Sequence, residues 1–252
     1  MPLDWDVEVG IHSDRLNRHG PLGVAISLVA EAPSDGWHDA RRFVAGDGNV
    51  YWIKTTAAHG LCVELIAGRL AYGLGIGPSV SAMEVPSEGA AVAFGSMDID
   101  GTVSTQELEL FFPDLRQFDL ATLDQASLAL TFVFQVWIGH RDPQWLIRME
   151  DGRVFTLDHE EWAADSGYRL EPWVLTARVP GMPDYLRGQR TRVLDAVARI
   201  EAISDAELVE AVSCLPDAAG WDYDPAQALA VAEALAERRV SLRGVMERWL
   251  LP

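Results

Sequence analysis

Lysine is almost absent from this sequence. Its 20 basic residues are nineteen arginines and one lysine, Lys54. Cysteine is scarce as well: Cys62 and Cys214 lie far apart in the chain. Two cysteines cannot build a disulfide framework, nor complete a structural zinc site alone, and a reducing cytoplasm is the expected compartment. No apolar run reaches the length a spanning helix needs. The opening "MPLDWDVEVG" carries two Asp and a Glu and no basic stretch ahead of an apolar one, which argues against a secretory signal. Positive charge is short overall. A net charge of −18 repels phosphate backbones and anionic lipid surfaces, so neither nucleic acid nor a membrane is an expected partner.

What is present fits a folded globular chain. Apolar residues make up 49% and charged residues 23% of 252 residues, enough for one large domain or two small ones. No internal repeat or low-complexity tract is evident. Up to residue 95 the chain is rich in strand signals: "VAISLVA" (24–30), "RFVA" (42–45), "VYWIKT" (50–55), "SVSAMEV" (79–85) and "AVAFG" (91–95). Asp47-Gly48 predicts a hairpin turn between the second and third of these. One helix is expected within 62–76, where Leu65, Leu70 and Leu74 recur at helical spacing before Gly75 and Gly77. After residue 95 helices dominate: a long apolar segment over 120–140, then a hairpin of strands 145–149 and 153–157 turning at Asp151-Gly152, then amphipathic helices near 186–202, 205–213 and 225–249. The expected organisation is therefore α+β, with a β-rich unit at 1–95 and a mostly helical one at 96–252.

Four charged residues stand where the apolar pattern predicts burial. Lys54 closes an apolar strand, and Glu64 lies on the next helix beside its apolar face. Asp142 follows the apolar helix, and Asp158 ends the second hairpin strand. Taken singly they read as a structural ion pair and loop caps. A buried ammonium needs a carboxylate partner, and the helix that follows can supply one. Phosphoryl transfer uses the same set of charges: a lysine on the phosphates, a glutamate orienting it, one aspartate orienting the attacking hydroxyl and another holding Mg²⁺.

Several motifs in the same order resemble the HipA-like kinase family, bacterial relatives of the protein and lipid kinases. "DGNVYWIK" resembles that family's lysine strand, and "VELIAGRLAYGLGIGPS" its glutamate helix and exit. "AFGS" (93–96) is similar to the segment at its lobe junction. "VFQVWIGHRDPQWLI" and "DGRVFTLDHE" resemble its catalytic loop and metal-binding hairpin, and "ALAERRVSLRGVMERWL" its closing helix. The likeness spans roughly residues 42 to 250. It implies a bilobal protein-kinase-like fold and an ATP- and Mg²⁺-dependent transfer to a hydroxyl of a protein, peptide or small molecule. It further implies that Lys54 contacts the nucleotide phosphates and Glu64 holds Lys54. Asp142 is then the catalytic aspartate and Asp158 the metal-binding one, with Gln144 as the remaining amide ligand. Gly95, Ser96 and Met97 lie by the adenine. In this chain the catalytic loop is shortened: His140 stands before it, Pro143 follows Asp142, and Glu160 occupies a position where the family commonly has glycine. Candidates for the phosphate-covering loop are 17–23 and 31–39.

Two other readings compete. A shortened loop and an acidic surround suit a pseudokinase that uses the same fold as a binding scaffold. Alternatively, His140, Asp142 and His159 form a two-histidine, one-carboxylate set of the kind used by non-haem iron oxygenases. That reading requires a many-stranded barrel in place of the helices expected here. The tryptophans are mostly expected in the core, with Trp145 and Trp162 as the candidates to flank the cleft.

Overall fold

Alternation of buried and half-buried residues builds the first sheet. In the computed structural model, which describes residues 26–27, 41–45, 48–54, 58–85, 91–105, 107–108, 119–140, 144–159, 182–213 and 225–251, strand β2 (Arg41–Ala45) pairs antiparallel with β3 (Val50–Lys54). Tyr51 and Ile53 point to one face, where they join Phe43, Ala45 and Ala93 in a small core. By the two-residue period of a strand, Trp52 and Lys54 occupy the other face. β1 (Ile26–Ser27), β4 (Val80–Val85) and β5 (Ala91–Met97) complete a five-stranded sheet in the order β1-β2-β3-β5-β4, so Lys54 ends the central strand. The register sets Lys54 opposite Phe94, Ile53 opposite Gly95, Trp52 opposite Ser96 and Tyr51 opposite Met97.

Between β3 and β4 runs α1 (Ala58–Gly73). Its contact with β4 depends on Gly68, where a Cβ would fall 2.8 Å from a Val80 methyl. The carbonyls that α1 and its exit leave open are taken up from the other half of the chain. Arg199 Nη2 donates to Leu74 O at 2.6 Å, Arg153 Nη2 to Gly75 O at 2.6 Å, and the Thr156 amide to Ile76 O at 2.8 Å.

The apolar segment forms a 3₁₀ turn, Leu120–Thr122, and then α2 (Gln125–Ile138), rather than one helix over 120–140. Two aspartates cause the split. Asp119 caps the short turn through Ala121 N, and Asp124 accepts from the amides of Ala126 and Ser127, restarting the chain as an α-helix. Every residue from Ser127 to Ile138 is buried, as expected of a helix that is apolar on all sides. Gly139 ends α2 with φ +76°, where a Cβ would strike Arg238 Nη2 at 2.7 Å. A second sheet, β6 (Thr102–Ser104), β7 (Gln144–Arg148) and β8 (Val154–Leu157), is antiparallel in that order.

Around α2 stand α3 (Met182–Arg187), α4 (Arg190–Glu201), α5 (Asp205–Ser213) and α6 (Pro225–Trp249). α5 begins with a reciprocal cap, Glu207 N donating to Ser204 Oγ and Ser204 N to Glu207 Oε2. α6 is bound to α2 by polar as well as apolar contacts. Trp137 Nε1 donates to Leu235 O at 3.0 Å, and Arg238 donates to Ile138 O and Val136 O. Both phosphate-loop candidates and Trp162 lie outside the described residues, as does most of the 24–30 segment. Among the described residues no helix is long and apolar enough to cross a membrane.

Candidate functional site

Lys54 and Asp158 are separated by 104 positions in the chain and meet as a salt bridge. Both side chains are mostly buried, at 15% and 14% exposure, so this contact is drier than a surface ion pair. Lys54 arrives on the central strand of the first sheet, and Asp158 follows directly on β8. Gln144, the first residue of β7, donates from Nε2 to the second carboxylate oxygen of Asp158. Asp158 has φ +60°, the one non-glycine residue with positive φ among those described. A left-handed conformation costs an L-residue about 1–2 kcal/mol, and such strain gathers where a side chain must be aimed.

Glu64, on α1, is 3% exposed. Burial alone would raise its carboxyl, but the Lys54 ammonium, followed by His159 and His140, outweighs that and holds it at about 2. Its Oε1 lies 3.6 Å from His159 Nδ1, an electrostatic contact rather than a hydrogen bond, and its Oε2 has no hydrogen-bond partner. Lys54 thus sits between two carboxylates, paired to Asp158 and close enough to Glu64 to keep it ionised.

Behind these charges stand two buried rings. His140 is fully buried and tilts against His159, with ring centroids 5.5 Å apart. Burial and then the neighbouring His159 push His140 down to about 3, against the opposing pull of Glu64 and the Asp158 main chain. Neither His140 nitrogen closes a hydrogen bond. His159 Nε2 is 2.9 Å from Thr156 Oγ1. Thr156 also accepts from Gln135 Nε2 at 3.1 Å, and Gln135 Oε1 accepts from the Trp145 indole at 3.0 Å.

Of the residues singled out in the sequence, Lys54, Glu64, Asp158 and Gln144 come together. Gly95 is buried and Ser96 and Met97 are half-buried on the strand paired with β3. Asp142 and Glu160 lie outside the described residues. Trp145 does not flank a cleft. It is 2% exposed, because the alternation of β7 turns Trp145 and Ile147 inward. Sequence reasoning missed Gln135 and Thr156, polar residues inside apolar runs whose only signal was their unlikely burial. It also weighed His159 only as a metal ligand. Among the described residues no three His, Cys, Asp or Glu side chains converge to hold a metal ion. The Asp158 carboxylate and the Gln144 amide, which turned over would present its oxygen, fit a hard divalent cation that takes its other ligands from water and phosphate.

No protein-family model matches the chain, and neither does any curated protein. Solved structures do. The crystal structure of a Helicobacter pylori proinflammatory kinase, CtkA, superposes with a TM-score of 0.60 at 14% identity, covering 91% of this chain and 98% of that one. The Golgi casein kinase superposes with a TM-score of 0.51 at 10% identity, covering 92% and 75%. At such identities the likeness concerns architecture, and it establishes that this chain has an α+β, kinase-like fold.

Proposed function

We propose that this chain is a HipA-like, ATP-dependent phosphotransferase acting on a hydroxyl of a protein, peptide or small molecule. The observation that carries the reading is the convergence of Lys54, Glu64, Asp158 and Gln144 from four separate elements of a kinase-like fold. Residues 1–95 form the nucleotide-binding unit and 96–252 the catalytic one, the change falling within β5, between Gly95 and Ser96. Lys54 holds the nucleotide phosphates and Glu64 orients Lys54. Gly95, Ser96 and Met97 border the adenine. Asp142 orients the substrate hydroxyl and accepts its proton. Asp158 and Gln144 hold Mg²⁺, which when bound neutralises charge on the phosphates. These residues act by positioning and charge stabilisation, so a shortened loop slows transfer without removing its basis.

The test is a thermal-shift titration of the full chain with ATP or GTP and Mg²⁺ or Mn²⁺. Wild type is expected to be stabilised and Lys54→Ala is not. Failure of the wild type to shift with any of these pairs overturns nucleotide binding. A second reading, a pseudokinase scaffold, is favoured by the direct Lys54–Asp158 contact, which closes the charged groups onto one another. Phosphate release and autophosphorylation assays separate the two: Asp142→Asn retains the nucleotide shift but loses transfer only if the wild type transfers. The oxygenase reading needs a barrel that this fold does not provide.

A further inference from the structure

The buried chain of hydrogen bonds behind Lys54 has a direction, and that direction has a consequence for Glu64. The Trp145 indole can only donate, so the Gln135 atom facing it at 3.0 Å is the carbonyl oxygen. The Gln135 amide nitrogen is thereby turned to Thr156 Oγ1, 3.1 Å away, and donates to it. Thr156 Oγ1 keeps one hydrogen of its own and faces His159 Nε2 at 2.9 Å. Donated there, that hydrogen occupies the Nε2 lone pair, and the single hydrogen of a neutral ring stands on Nδ1. His159 Nδ1 faces Glu64 Oε1 at 3.6 Å. The opposite tautomer would set a bare nitrogen against a carboxylate and leave Thr156 accepting twice. Trp145, Gln135, Thr156, His159 and Glu64 are all at most 3% exposed, so the chain lies away from bulk solvent.

We propose that His159 is a positioning residue for Glu64. Its Nδ1–H, oriented through Trp145, Gln135 and Thr156, turns the Glu64 carboxylate toward Lys54. The part of this that concerns nucleotide rests on the phosphotransferase reading; the orientation of Glu64 does not. His159 touches neither substrate nor phosphate in this role, and it acts through Glu64 and Lys54.

Because the chain holds one lysine, a protein labelled with ¹⁵N at lysine side chains reports Lys54 alone. The experiment uses the full chain at about pH 8, above the ordinary histidine range. Two-bond proton–nitrogen correlations of the imidazoles, with His159 assigned by its loss in His159→Gln, are expected to show Nδ1 protonated and Nε2 bare. The opposite pattern overturns the proposal, and this arm needs no variant to keep the site intact. Thr156→Val removes the hydroxyl at nearly constant volume. It is expected to mix the His159 tautomers and move the Lys54 signal, and Thr156→Ser is expected to restore both. A Lys54 signal unmoved in Thr156→Val also overturns the proposal. Titrating the wild type with ATP and Mg²⁺ while watching the same signal isolates the functional reading: silence there, with the Nδ1–H tautomer present, sinks nucleotide binding and upholds the orientation of Glu64.

Discussion

Among the described residues the two sheets stand on very different foundations. The sheet β1–β5 buries Phe43, Ala45, Tyr51, Ile53 and Ala93 in a cluster of its own, whereas the cluster around α2 draws residues from α1, the second sheet and α3 to α6. The charged groups divide unevenly between them. Glu64 follows Val63 and precedes Ile66 and Ala67, all in the large cluster, and Gln144 and Asp158 flank strands whose Trp145, Ile147 and Val154 belong to it. Only Lys54 comes from a strand, β3, whose Tyr51 and Ile53 belong to the small one. Among the described residues the carboxylates are therefore fixed to the larger cluster, and the ammonium arrives on the strand beside the smaller one, next to the strand that carries Gly95 to Met97. Local opening follows the density of buried apolar contacts, so the Lys54 strand is where opening should cost least.

The largest expected effect tests the large core. Trp137→Ala, at a fully buried site, should cost about 3–5 kcal/mol, and it frees the Leu235 carbonyl as well. Urea unfolding should show a lower midpoint for the whole chain. Phe43→Ala should act locally, speeding amide exchange in β2 and β3 while α2 remains protected. Equal loss of protection in α2 would mean that the two clusters unfold as one.

Acidification should reach the site through the large core. His140 is held at about 3 against an ordinary 6.5, so as pH falls through that window the unfolded chain binds a proton the native chain refuses. Native stability should then fall by up to about 1.4 kcal/mol per pH unit. Glu64, held at about 2 against 4.5, stabilises the native state above 4.5, and that contribution is lost as pH drops toward 2. Both signs agree, so the acid limb should be steep below about pH 6.5. His140→Leu should flatten its upper part in urea titrations, and an unchanged slope would remove His140 as the cause.

Gly139→Ala should cost about 1–2 kcal/mol for the left-handed backbone alone, with displacement of Arg238 in addition. In a double-mutant cycle with Arg238→Ala the two costs should sum to less than their separate values, since both disturb the same cap on α2. Strict additivity would show that the Arg238 contacts to Val136 O and Ile138 O do not hold the start of the following loop.

Much of this arrangement was legible in the sequence because it is written in period and punctuation. The alternation of "VYWIK", the Gly exits and the apolar run of α2 each mark an element, and a lone lysine in an apolar strand announces a site. The ends of α2 and the burial of Trp145 were less visible. Asp119 and Asp124 look alike as caps until their partners are known, and a tryptophan beside a charged loop reads equally well as rim or core. The Trp145–Gln135–Thr156–His159 chain was not legible at all. Its linked neighbours are 3 to 21 positions apart, and they meet because α2 packs against β8 while the Trp145 indole on β7 reaches Gln135.

The smallest expected effect concerns the hinge of the comparison, the residue where the two foundations touch. Asp158 gives the large core its contact with Lys54, and it does so from φ +60°. Replacing it separates the two contributions. Asp158→Ala loses the ion pair and keeps a Cβ in the left-handed region, whereas Asp158→Gly loses the same ion pair and relieves the backbone. The lost pair is common to both variants. The difference between them in urea midpoints should therefore be about 1 kcal/mol in favour of glycine, near the lower end of the cost of the left-handed state. Nearly equal stability for the two would show that the conformation at 158 carries no strain, and that Asp158 is aimed at Lys54 by its side-chain contacts with Lys54 and Gln144 alone.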